Sequence, residues 1–161
     1  VYRPAVVPSD LVPQHVSLLG GNQTVVDSVI PSGEVSIEPI DAPLSDPPSE
    51  ETVSAPIGRI IGSRSGDKGG NANLGVFARD PKSWMWLDNF LTTEKLRSLL
   101  PETSEMKIDR HRLPNILSLN FVIHGILEEG VAASTRQDGQ AKSLGEWLRA
   151  RVVEIPKDLL E

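Results

Sequence analysis

The sequence has no cysteine, which excludes disulfide bridges and thiolate metal sites. Its three histidines, His15, His111 and His124, lack the spacing of a zinc ligand set. No apolar run approaches the roughly 20 residues that a membrane-spanning helix needs. No polybasic cluster is present to attach the chain to an anionic lipid surface. Lysine and arginine form no stripe of the kind that follows a phosphate backbone, so neither nucleic acid nor membrane is expected as a partner. There is no signal-peptide core, and a cytoplasmic location is expected. The chain opens VYRP, without Met, and is expected to be a piece of a longer protein.

What is present is unevenly spread. Residues 1–56 hold one base and eight acids, and nine of the 13 prolines. All Trp and Phe residues lie after them. Proline removes backbone donors and favours extended chain, so residues 1–56 read as an acidic, Pro-rich leader without its own core. Short β-prone runs in the leader are expected to pair with or lie along a neighbouring body. Residues 57–161 are close to neutral and form the folded domain.

In that body, IGRIIGSRS and NLGVFAR read as strands. Asp80–Pro81 starts a helix, because Asp caps free N–H groups and Pro is tolerated at the first helical position. Trp84, Leu87 and Leu91 fall on one face of it. Trp86 lies two residues from Trp84, so one indole is expected to be free for an interface. Thr92 or Thr93 caps a second helical piece that ends at Pro101. EMKIDRHRL alternates as a half-exposed strand. PNILSLNFVIHGILEEG fits both periods, and its length with the following Gly130 favours helix. VAASTRQ reads as a strand, Asp138–Gly139 as a turn, QAKSLGEWLRAR as a helix and VVEIP as a closing strand. The expected fold is α+β, a two-layer sandwich with a mostly antiparallel sheet and helices on one face.

The stretch with the densest chemistry is SRSGDKGGNANLG, residues 63–75, read as a loop between two strands. Glycine-rich backbone there could converge on an anion, with Arg64 and Lys68 adding charge. It is not a Walker loop, since Lys68 precedes Gly69 and a strand follows. Ser65 lacks the flanking glycines of a nucleophile elbow. Asp67 and Lys68 are the candidate catalytic pair, as base and electrophile. Arg64, Ser65, Gly66, Gly69, Gly70, Asn71 and Asn73 are candidate ligand contacts, with Arg136 and Lys142 from a second polar cluster. The alternative is a structural turn, because Gly, Asp and Asn all suit turns. His124 reads as a boundary residue. No metal and no cofactor are expected.

SRSGDKGGNANLGVFAR, followed by LPNILSLNFVIHGILEEGVAASTRQDGQAKSLGEWL, resembles the C-terminal domain of the acyclic terpene utilisation AtuA family, over about residues 56–156. The resemblance implies a small ferredoxin-like domain that follows a larger N-terminal domain, with residues 1–56 as the connection. It also implies a link to the breakdown of acyclic terpenes, such as citronellol and geraniol, through CoA thioesters. It implies no defined reaction for this domain. Three roles follow as alternatives. The first is an accessory or interface domain whose partner is the larger domain, a subunit or a second copy. The second is an enzyme part lending the Asp67–Lys68 loop to a shared site. The third is a binding module for an acidic small molecule such as an acyl-CoA.

Overall fold

A computed structural model describes residue 5, residues 7–27 and residues 51–161. The chain divides into two compact units, one of residues 3–38 and one of residues 1–2 with 39–161. In the first unit, β1 (Gln14–Ser17) and β2 (Gln23–Val26) pair as an antiparallel hairpin. Every residue of both strands is exposed, so this hairpin has no buried face of its own. The proline-rich DAPLSDPP stretch lies outside the described residues.

The second unit begins with β3 (Thr52–Pro56), which pairs antiparallel with the final strand. β4 (Ile61–Lys68) and β5 (Asn71–Ala78) then form a hairpin in continuous register from Ile61↔Ala78 to Lys68↔Asn71. α1 (Pro81–Phe90) starts where the Asp80 carboxylate accepts the Ser83 N–H at 2.9 Å. α2 (Thr93–Leu99) starts where the Thr92 hydroxyl accepts the Lys95 N–H at 3.1 Å. β6 (Ile108–Leu113), β7 (Ser118–Ile123), α3 (Ser143–Arg149) and β8 (Val152–Pro156) complete the body. The strand order of the main sheet is β4-β5-β7-β6, antiparallel throughout. The molecule is an α+β protein, as the sequence implied.

Alternation sets the layers. Ala72, Leu74, Val76 and Ala78 of β5 and Leu119, Phe121 and Ile123 of β7 are buried on one side of the sheet. They pack under α1, α2 and α3, together with Leu87, Leu91, Leu96, Leu144 and Leu148. β3 and β8 extend this core through Ala55, Val153 and Ile155. Residues 52–56, placed in the leader by composition, thus pair with the body. Among the described residues no helix is long and apolar enough to cross a membrane.

Four expectations are corrected. Residues 115–129 are not a helix: β7 occupies Ser118–Ile123, because β5 and β6 pair with it on both sides. A left-handed residue, Leu117 with φ 52°, ends the turn before it. VAASTRQ is not a strand but a run of turns held by the Gly130 carbonyl, which accepts the Ala133 and Ser134 N–H groups. The last helix starts only at Ser143, because Ala141 has φ 52° and interrupts helical winding. Neither Trp84 nor Trp86 is free, since each is 7% exposed. Trp84 enters the core, and Trp86 stacks on Phe90 one turn later with ring centroids 4.3 Å apart.

Candidate functional site

The SRSGDKGGNANLG stretch is almost entirely strand. Only Gly69 and Gly70 lie between β4 and β5. Gly69 has φ 62°, which glycine adopts without penalty. A side chain on Gly70 would collide with the Glu128 carbonyl oxygen. The Gly70 carbonyl accepts the Leu127 N–H at 2.9 Å. These two glycines therefore serve a tight turn clamped by residues 127–130.

Because the remaining candidates are strand residues, they alternate between faces. Ser65 and Asp67 share the side of β4 that faces the helices. The Ser65 hydroxyl donates to the Lys142 carbonyl at 3.1 Å and accepts the Gly145 N–H at 3.0 Å. Ser63, on the same side, donates to the Gly145 carbonyl at 2.8 Å. Arg64, Gly66 and Lys68 belong to the other side, with Asn71 and Asn73 of β5. Asp67 and Lys68 are thus split across the sheet. The Lys68 ammonium donates to its neighbour's backbone, the Asp67 carbonyl, at 2.9 Å.

That other side carries no helix among the described residues. Its centre is the Asn73 amide, which donates to Asn120 Oδ1 at 2.6 Å. At the end nearest the Gly69–Gly70 turn it is polar. His124 Nε2 lies 2.7 Å from Asp109 Oδ2, and Lys107 Nζ lies 3.4 Å from Asp109 Oδ1. The hydrogen bond with His124 is the main influence holding the Asp109 carboxyl below its ordinary range, with Lys107 adding to it. Asn71 Oδ1 accepts the Gly125 N–H at 2.9 Å and ties β5 to this corner. The opposite end is apolar. Phe77 and Leu113, each 42% exposed, flank Ser118 in register from both sides. Ile116 in the adjoining turn is 65% exposed. The Phe77 ring covers Gly62, where any side chain would collide with it.

The second polar cluster divides as well. Arg136 points to Glu102, at 2.6 Å. Asp138 accepts the Lys142 and Ser143 N–H groups at 2.8 and 2.9 Å, so it caps α3. Lys142 does join the hairpin: its ammonium lies 3.4 Å from where a Gly66 side chain would begin. Of the predicted residues, the structure gathers Arg64, Gly66, Lys68, Asn71, Asn73 and Lys142. It leaves Ser65 and Asp67 on the helix side and Arg136 elsewhere. Asp109, His111, Asn120 and His124, which share the open face, were missed as site residues. Reading residues 118–124 as a strand would have revealed Asn120 and His124, since they alternate with the apolar Leu119, Phe121 and Ile123. Among the described residues, no cluster of His, Cys, Asp or Glu is arranged to hold a metal ion.

On the helix side, Asp88 of α1 forms a half-buried triad with β6. Arg110 Nη2 and Arg112 Nη2 contact its two oxygens at 2.7 and 2.6 Å. Burial pushes the Asp88 carboxyl up, but hydrogen bonds from Arg112 and Arg110 outweigh it and the net direction is down. Arg110 also donates to the Leu91 and Asp88 carbonyls. This cluster anchors α1 to the sheet.

These features define a small α+β domain whose antiparallel sheet is packed with helices on one side and, among the described residues, carries none on the other. A family model for the AtuA ferredoxin-like domain matches residues 55–154, and the chain belongs to that family. Neither the curated proteins nor the solved structures contain a significant match.

Proposed function

We propose that this chain is an accessory domain of an AtuA-like protein, and that the open face of the β4-β5-β7-β6 sheet packs against the larger domain or subunit. In this reading the assembled protein acts in acyclic terpene breakdown through CoA thioesters, and this domain contributes contact surface. The observation that supports it is the layout of the open face. An apolar end made by Phe77, Leu113 and Ile116 adjoins a bonded Asn73–Asn120 pair and a charged end at Asp109 and His124. Interfaces combine apolar contact area with hydrogen-bonding polar groups, and this face offers the two side by side. The split of Asp67 from Lys68 across the sheet speaks against a self-contained catalytic pair.

The test is association of this chain with a separately produced larger AtuA-like domain, measured by calorimetry. Phe77→Glu and Leu113→Glu should each abolish or strongly weaken binding, because a buried charge without a partner opposes association. Both side chains are exposed here, so the thermal transition should stay close to that of the parent. Unchanged binding by both variants would reject the reading.

A further inference from the structure

We infer that Arg64, Lys142 and Lys68 form a binding row for a small molecule carrying two or more phosphates, at the β4 edge of the open face. This inference does not depend on the assembly reading.

Several basic side chains elsewhere in the body have carboxylate partners. Lys82 meets Asp158 at 2.7 Å, Arg136 meets Glu102 at 2.6 Å, and Arg110 and Arg112 share Asp88. Arg64 and Lys142 differ: among the described residues, neither the Arg64 nor the Lys142 side chain has a hydrogen-bond or ion-pair partner. Among the described residues, the ammonium of Lys68 contacts only a neighbouring carbonyl. Along β4 the open-face positions run Arg64, Gly66, Lys68. Gly66 has no side chain, and the Lys142 ammonium fills that place, 3.4 Å from where a Cβ would lie. The row therefore reads Arg64, Lys142, Lys68, three cations within about 13 Å of strand, at roughly 3.3 Å per residue.

Like charges repel when brought together, and an anion bound among them removes that cost. Gly75 lies opposite Arg64 in the ladder, and among the described residues only the Arg64 carbonyl lies within 4 Å of where a side chain on it would begin. Beside the row, Arg64 and Lys142 also line a cleft of about 250 Å³ between β4 and α3. That volume lies just below the usual small-molecule range of about 300–1,000 Å³, so it would take only a compact ligand. Glu146 lines the same cleft, but its carboxylate is held by Arg149 at 3.0 Å. Asp138 and Ser65 already accept the Lys142, Ser143 and Gly145 amides. The attraction must come from the three side chains, and guanidinium plus two ammonium groups match clustered phosphate oxygens.

The experiment is calorimetric titration of the whole chain with inorganic pyrophosphate, beside an oligoglutamate peptide. Saturable pyrophosphate binding is expected, with an affinity that falls as salt screens the charges. Arg64→Ala and Lys142→Ala should each weaken it about fivefold or more. Lys95→Ala, on α2 over the Phe90 ring, should leave it unchanged. The variants' thermal transitions should match the parent, so lost binding would not reflect lost folding. No saturable binding at millimolar pyrophosphate, or equal binding by all variants, would overturn the inference. So would binding of oligoglutamate without pyrophosphate, which would make the row a protein contact.

Discussion

Asn73 and Asn120 are hydrogen-bonded to each other across the open side of the sheet, at 2.6 Å, although they are not opposite in register. Asn73 faces Val122 and Asn120 faces Gly75, so the bond runs diagonally between β5 and β7. A diagonal side-chain bond fixes the two strands against sliding. Asn73→Ala and Asn120→Ala should each cost about 1 kcal/mol, the usual size for a half-buried neutral hydrogen bond. The double variant should cost clearly less than the sum, and chemical denaturation of the four proteins checks it.

Asp88→Asn removes the charge that pairs Arg110 with Arg112. Two guanidiniums at 19% side-chain exposure would then face each other without a carboxylate. A loss of about 2–3 kcal/mol is expected, below the range for fully buried pairs because water still reaches the arginines. The acid side follows from the depressed carboxyl. Its stabilisation is fully present above the unfolded-state value of about 3.9 and is lost as pH falls through the lower folded value. Denaturation curves from pH 6 downward should therefore steepen for the parent more than for Asp88→Asn.

Gly70→Ala should destabilise the domain by about 1–3 kcal/mol, because its Cβ meets the Glu128 carbonyl and backbone must shift to accommodate it. Gly69→Ala has open space but the wrong backbone region, and about 1 kcal/mol is expected. Thermal melts of the two variants give the order directly.

Local signals in the sequence suffice where one residue decides the outcome. Asp80 and Thr92 cap their helices because a side-chain oxygen two or three residues ahead of free N–H groups needs no distant partner. Residues 115–129 satisfied both periods, and only pairing with β5 and β6 selects strand. That choice hid the open face, since Asn120 and His124 lie on it only if the segment is extended. The same applies to the glycine-rich stretch. Its residue types were visible, but its alternation between faces, which separates Asp67 from Lys68, appears only with the hairpin register. Trp86 escaped the stripe argument because Phe90 covers it.

Composition placed the domain boundary at residue 56, whereas β3 pairs with β8 from Thr52 onward. A chain starting at Glu51 should keep a cooperative thermal transition. One starting at Ile57 should melt substantially lower, because it loses the partner of β8 and the buried Ala55. Equal melting of the two would mean that β3 contributes nothing to the body.

We propose the open sheet face as the surface this domain offers to a larger AtuA-like partner. The most direct measurement is an amide chemical-shift map of the isotope-labelled chain titrated with that partner. The account predicts shifts concentrated at Asn73, Phe77, Leu113, Ile116, Asn120 and Val122. Shifts confined to α1, α2 and α3, with those six positions unmoved, would contradict it.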